Sequence, residues 1–485
     1  MKIELFQGSY EARSPIANAQ SCINLYPEPN PKDAPFPITH YPAPGLSVLQ
    51  DFTGTAGVGP SIRGLYMASN GAVVVASGTA IINWHPPGST PAFTLMGQLA
   101  SLTDVPVSMS DNGATLVIVD GSTNGYTAPL SGDTIAGPIT QINDPAFYGA
   151  NRVDNIDTFM IFNRPKTRTF YTTTSNTITP FDALYFANKE GYNDLLASIA
   201  ALHDNIWLFG NVTTEVWFNA GAAPFPFARM PNTVLQQGCA APYSVVVADN
   251  AVYWLSQDRW GRNMIMRGEG YSAKRVSNFA VEDEWNGYTQ IDNTVGMVFQ
   301  LGGHQFICFW FPTANAWWAY DVMTGLWHRR TYNDTSNAWL PSCTAGWGAV
   351  QYVAGFPNMV IAGDRTAPRL LRIHTDAYTD AGTPIIRQRS WLHLQTDGKR
   401  AQHGRFSANM TGAQLSPDQV NLSWSDDGGQ SFGAAVPQTV HNATNGQYQW
   451  RRLGYARDRV YQLQWQGSGE HALNGAWIDV IPHGT

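Results

Sequence analysis

Charge is scarce in this sequence. Charged side chains make up 13% of the 485 residues, 29 Lys and Arg against 36 Asp and Glu, giving a net charge of −7 at pH 7. So thin a supply leaves the surface to Ser, Thr, Asn, Gln, Gly and aromatics, as in assembly or extracellular proteins rather than soluble cytosolic enzymes. The acidic balance argues against the broad basic face that displaces counterions from a duplex. Cysteine is equally sparse: Cys22, Cys239, Cys308 and Cys343 are scattered, without C-x-x-C or Cys/His spacing. Neither a zinc site nor a small disulfide framework is indicated, and buried free thiols are expected. No window approaches the roughly 18 uninterrupted apolar residues of a membrane span. The opening MKIELFQGSYEARS has charges at Lys2, Glu4, Glu11 and Arg13 and no apolar core, so it does not read as a secretory signal, and synthesis in the cytoplasm is expected. Catalytic signatures are missing too: there is no G-x-S-x-G elbow, no phosphate loop and no H-E-x-x-H. The expectation is a protein without catalytic residues, cofactor or metal.

Turn formers are plentiful, with 45 Gly and 30 Pro, and the hydrophobic fraction of 44% suffices for packed interiors. Many turns imply many short strands. Residues 1 to about 50 are rich in proline, at positions 27, 29, 31, 35, 37, 42 and 44. Proline lacks a backbone donor and biases its predecessor to extended geometry, so an irregular or polyproline-like arm is predicted, one that needs another surface to hold it.

From about residue 60 a rhythm sets in: a Gly or Asn turn, a short apolar strand, then a second strand. Its beats start near Gly71, Gly113, Asp157, Asp204, Asp249, Gly303 and Phe356. A spacing of this order matches a four-stranded propeller blade, so a β-propeller of six or seven blades is predicted over residues 61–375. Runs such as VVVA, LVIV and FICFWF suit strands packed between blades. The aromatics Trp207, Trp217, Trp254, Trp310, Trp317, Trp318 and Trp327 read as blade packing before sugar platforms. Helix is confined to short pieces such as NDLLASIAALHD (193–204). After residue 376 closely spaced alternating strands predict a C-terminal β-sandwich, residues 376–485. The predicted fold is therefore all-β: an extended arm with a first strand (1–60), a propeller and a sandwich.

One motif invites an enzymatic reading. In SWSDDGGQSFG, Ser425, Asp427, Gly429, Ser431 and Phe432 form an Asp-box-like pattern known from glycan-handling β proteins. Physically it is a turn device: Asp427 accepts backbone N–H groups, the glycines permit positive φ, and Phe432 is expected to re-enter the core. A sialidase-like site would also need an arginine cluster, a Tyr–Glu pair and an acid, and no sequence feature assembles them. The triplet Glu282, Asp283, Glu284 reads as a solvated loop, and His203–Asp204 as a blade turn.

Several segments together carry a family likeness: CINLYPEPNP (22–31), YPAPGLSVL (41–49), TTEVWFNAG (213–221), QQGCAAPYSVV (236–246), RVSNFAVE (275–282), AYDVMTGLWHRR (319–330), LSWSDDGGQSFG (422–433) and WRRLGYARDRVYQLQW (450–465). In content and order they resemble the packaged-DNA stabilization proteins of short-tailed bacteriophages, tail hub or nozzle subunits typified by the tail accessory protein of phage P22. The resemblance implies a virion tail component, a homohexameric ring below the portal and adaptor. Such a ring retains packaged double-stranded DNA, gives a channel for its ejection, and adjoins tail fibre, spike or needle proteins. It implies no catalytic residues. Asn24, Leu25, Tyr26 and Pro27, with Pro44 and Gly45, mark the expected assembly arm. A glycan-binding or glycan-cleaving propeller is the alternative, motivated by the Trp-rich loops and the Asp-box turn.

Overall fold

The computed structural model describes the chain except residues 1, 6–11, 101, 103–104, 259, 331, 334–338, 341–344, 351–355, 357–358, 396–397, 412–418, 440–445, 468 and 483–485. Among the described residues seven antiparallel units follow one another, four of them separate four-stranded sheets, one a five-stranded sheet, and the last two being parts of a ten-stranded and a six-stranded sheet. Their second strands are Val73–Ser77, Thr115–Val119, Phe159–Asn163, Asn205–Gly210, Ala251–Gln257, His304–Phe311 and Val360–Asp364, the seven apolar beats of the sequence. All five residues of Val73–Ser77 are buried, because a strand inside a blade is covered on both faces by neighbouring blades.

The first strand of each blade lies innermost. Ile62–Met67, Ser108–Asp111, Val153–Ile156, Leu196–Leu202, Val246–Ala248, Val295–Leu301 and Ala345–Val350 run side by side, and the seventh returns to the first, closing a circle. The fold is a seven-bladed β-propeller. Blade 7 takes its outer strand from the other end of the chain: Gly45–Asp51 pairs antiparallel with Arg369–His374. Leu46, fully buried among Val360, Leu371 and Ile373, anchors it.

The N-terminal segment corrects the polyproline-like expectation. Ser21–Ile23, Leu25–Pro29 and Ile38–Pro42 are strands. Leu25–Pro29 tolerates Pro27 and Pro29 because it lies at the edge of its sheet, where a missing N–H breaks no ladder bond. That sheet continues through Ile38–Pro42, Leu473–Pro482, Ala401–Met410 and Gln447–Arg451. A second sheet starts in blade 6 and runs from Leu326–Arg329 through Ser21–Ile23, Arg387–Ser390, Asp458–Trp465 and Val420–Ser425 to Val436–Gln438. The two sheets sandwich Leu25, Trp391, Phe406, Trp450, Tyr461 and Trp465. Propeller and sandwich therefore share a hydrogen-bonded sheet.

Two local expectations fail. Leu196–Leu202, inside the segment read as helix, is the inner strand of blade 4, since packing on both faces overrides the helix preference of Leu and Ala. Conversely, Phe279–Asn286 is an α-helix; the Asn278 side chain caps it by accepting from the N–H groups of Ala280 and Val281, both at 3.1 Å.

Candidate functional site

The Asp-box turn follows Val420–Ser425. Ser425 donates to Asp427 Oδ1 (2.5 Å), the amides of Gln430 and Ser431 donate to the same oxygen at 3.1 and 2.9 Å, and the Ser431 hydroxyl donates to Oδ2. These donors hold the Asp427 carboxyl below the usual carboxylate range, although the side chain is exposed. Gly428 and Gly429 have φ of +77° and +82°. Phe432 departs from expectation: it is half-buried and lines a groove, because the chain leaves the turn along the surface before reaching Val436–Gln438.

What the turn touches is the N-terminal strap, residues 12–20. A Cβ at Gly429 would stand 2.4 Å from that of Ala19, so only glycine permits the approach. Ser390 donates to the Ala19 carbonyl (2.6 Å), His393 Nε2 donates to that of Pro15 (2.8 Å), and Arg13 reaches Asp283 (2.8 Å). The strap crosses the seam between blade 6 and the sandwich, above Val281, Trp318 and Trp327.

The six residues expected to mark an assembly arm are all buried within this one chain. Asn24 (φ +56°) donates to the Ile386 carbonyl at 2.7 Å. Leu25 lies in the sandwich core, and Tyr26 packs edge-on against His304 and Phe306. Pro27 pairs with His40. Arg330 donates to the Pro44 carbonyl, and the Ala377 backbone leaves no room for a Cβ at Gly45. The surface that holds this segment belongs to the chain itself.

Two cavities lie on the propeller axis. One, of about 860 Å³, is lined from blades 1 to 6 by residues including Arg63, Asn151, Asn211, Tyr243, Asp292 and Trp310. The other, of about 210 Å³, is lined by Ser108, Met109, Arg152 and Asp154 among others. Pro106, Tyr243 and Val295 border both. Arg63 is spent on structure: Nε donates to the Gly78 carbonyl (2.8 Å), Nη1 to that of Val105 (2.9 Å), and Nη2 lies 3.9 Å from Asp120. Burial pushes the Tyr243 hydroxyl up to about 12 and lowers the pKa of Arg152. Sequence reading missed these residues; they come one by one from separate blades, so no periodicity gathers them.

The acidic triplet is likewise corrected. Glu282 sits on the helix, 1% exposed, where both its oxygens take the Arg275 guanidinium and Ser277 donates at 2.5 Å. Glu284 pairs with Arg329 at 2.9 Å. His203, with φ +52°, turns the chain between Leu196–Leu202 and Asn205–Gly210. Cys22, Cys239 and Cys308 are buried free thiols, and Cys343 lies outside the described residues. Of the tryptophans weighed as platforms, Trp207, Trp217, Trp254, Trp317, Trp318 and Trp327 are buried, and only Trp310 of that set is partly open, at the axial cavity.

No curated protein sequence matches the chain. Among solved structures it is similar to the extracellular domains of a one component system (10% identity, TM-score 0.41, 82% of this chain) and a hybrid two component system (10%, 0.42, 74%), both from B. thetaiotaomicron. The chain spans 48% and 42% of the length of those two. Kuenenia stuttgartiensis hydrazine synthase is similar at 10% identity and a TM-score of 0.39, over 64% of this chain and 96% of that one. Residues 1–378 match the phage stabilisation family described as Bacteriophage P22 Gp10, beta-propeller, and the chain belongs to that family.

Proposed function

We propose that the protein is a structural tail subunit that forms a closed homohexameric ring below the portal and adaptor of a short-tailed phage, retaining packaged DNA and leaving a passage for its ejection. Family membership over residues 1–378 carries this reading. The smaller axial cavity is only about 210 Å³ and is lined by side chains of several blades, whereas the major groove of a duplex is alone about 12 Å wide. DNA therefore passes between copies and not through a propeller. A net charge of −7 suits a wall along which phosphates slide without being gripped. The sheet shared by propeller and sandwich suits a subunit that must hold its shape against neighbours above and below, the adaptor on one side and fibre, spike or needle proteins on the other.

Native mass across a concentration range, with particle averaging of the protein bound to its connector, tests the reading. Six copies around an open axis support it. A strict monomer in both settings, or saturable oligosaccharide binding by that monomer, would replace it with the glycan-binding alternative.

A further inference from the structure

Lys189 has a fully buried side chain, the buried lysine among the described residues. It follows Phe186–Asn188, the outer strand of blade 3, and its Nζ contacts Oδ1 of Asp194, itself only 5% exposed, just before the inner strand of blade 4. Three further features give this contact the form of a reaction site. The other carboxylate oxygen, Oδ2, accepts the backbone N–H groups of Val212 (2.8 Å) and Thr213 (2.9 Å). The Thr213 hydroxyl touches both reactants, 2.5 Å from Lys189 Nζ and 3.2 Å from Asp194 Oδ1. Gly210 supplies the floor: a Cβ there would stand 2.7 Å from Asp194 Cγ and 2.8 Å from Lys189 Cε.

We propose that Lys189 and Asp194 are joined by an isopeptide bond that forms after folding. A lysine amine becomes a nucleophile once it is neutral and dry, and the buried contact lets the ammonium pass a proton to Oδ1 of the carboxylate. The nitrogen lone pair then attacks Cγ, forming the C–N bond, and the developing charge on Oδ2 meets the two backbone donors, which act as an oxyanion hole. The nitrogen, now carrying an extra proton, gives it to the Thr213 oxygen as the Thr213 hydroxyl proton moves to Oδ1. The C–Oδ1 bond breaks, one water leaves, and the Oδ2 carbonyl re-forms. The balance is one ammonium plus one carboxylate giving one amide plus one water, with no oxidant or co-reactant. The product staples the crossing from blade 3 to blade 4 beneath Thr213, where an ion pair alone would have to keep two desolvated charges.

Mass spectrometry of the denatured protein tests this. The expected intact mass is lower than the sequence mass by one water. A tryptic map is expected to leave the bond after Lys189 uncut and to show a fragment pattern branched from Lys189 to Asp194. Lys189→Arg is expected to restore the full mass. A wild-type chain at full sequence mass overturns the proposal and leaves an ion pair. So does a lost water that persists in Lys189→Arg or maps elsewhere, such as Asp427–Gly428.

Discussion

At the residue scale the turn that first suggested glycan chemistry is a seat for the strap. Asp427 is saturated by donors from its own loop, and Gly429 receives Ala19 where any larger residue would collide. Gly429→Ala should therefore cost about 1–3 kcal/mol, from overpacking and an unfavourable positive φ, and should make the strap more protease-sensitive. Denaturant unfolding with limited proteolysis checks this; wild-type stability in the variant would mean that the strap is not seated there. Glu282→Ala removes the carboxylate that takes both Arg275 and Ser277, a buried charge-assisted set, and should cost about 2–3 kcal/mol by the same measurement. The Asp-box pattern was legible as a turn, but its partner was not, since Ala19 and Gly429 are far apart in sequence. Glu282 was misread because the helix around it depends on one cap, Asn278, and on Trp285 packing against Trp318 and Trp327.

At the scale of elements, the second strands were readable because burial on both faces forces an apolar run into each blade, as in VVVAS and HQFICFWF. The closing strand was not: Gly45–Asp51 looks like the end of a proline-rich leader, and its partner Arg369–His374 lies across the whole propeller sequence. Leu46→Ala should cost about 2–5 kcal/mol, and hydrogen exchange should rise first in Val360–Asp364 and Arg369–His374, since the outer strand protects blade 7. Uniform exchange across all blades would contradict this. A second element contact is sensitive to pH. His304 faces Asp321 (2.8 Å) within blade 6 and Glu28 (3.4 Å) on Leu25–Pro29, with Tyr26, Tyr41, His328 and Arg330 in the same neighbourhood. The hydrogen bond to Asp321 raises the His304 pKa above its ordinary 6.5. Its contribution is thus fully present below about 6.5 and is lost as pH rises through the folded value. Burial pushes His328 down to about 3 and His403 to about 4. For these the unfolded chain takes up protons first, so stability falls as pH drops below about 6.5 and stops falling near the folded values. Urea midpoints should decline on both sides of neutrality; His304→Gln should flatten the alkaline limb and His403→Gln the acid limb. Unchanged limbs would assign the slopes to other groups.

At the scale of the whole molecule, the family match ends at residue 378 but the fold does not. The boundary at 376 marks a real change of rhythm in the sequence, from blade beats to alternating strands, yet the sheet beginning at Val295–Leu301 continues without a break through Ser21–Ile23 into the sandwich. Sequence reading divides the chain where its pattern changes, and hydrogen bonding joins it where edges meet. A chain ending at residue 378 would keep all seven blades and the closing strand. It would also uncover Ser21–Ile23, Leu25–Pro29 and the buried faces of Cys22 and Leu25, which the C-terminal strands cover. Exposed strand edges beside apolar surface pair with other chains, so the truncated protein should be recovered as aggregate, whereas the full chain should unfold in one transition followed alike by tryptophan fluorescence and by far-ultraviolet circular dichroism. Two separate transitions in the full chain, or a soluble cooperative fragment 1–378, would mean that the shared sheet does not couple the two parts. In that event the subunit would flex at the seam that the strap crosses, and Arg13, Ala19 and Gly429 would be where that flexing is felt first.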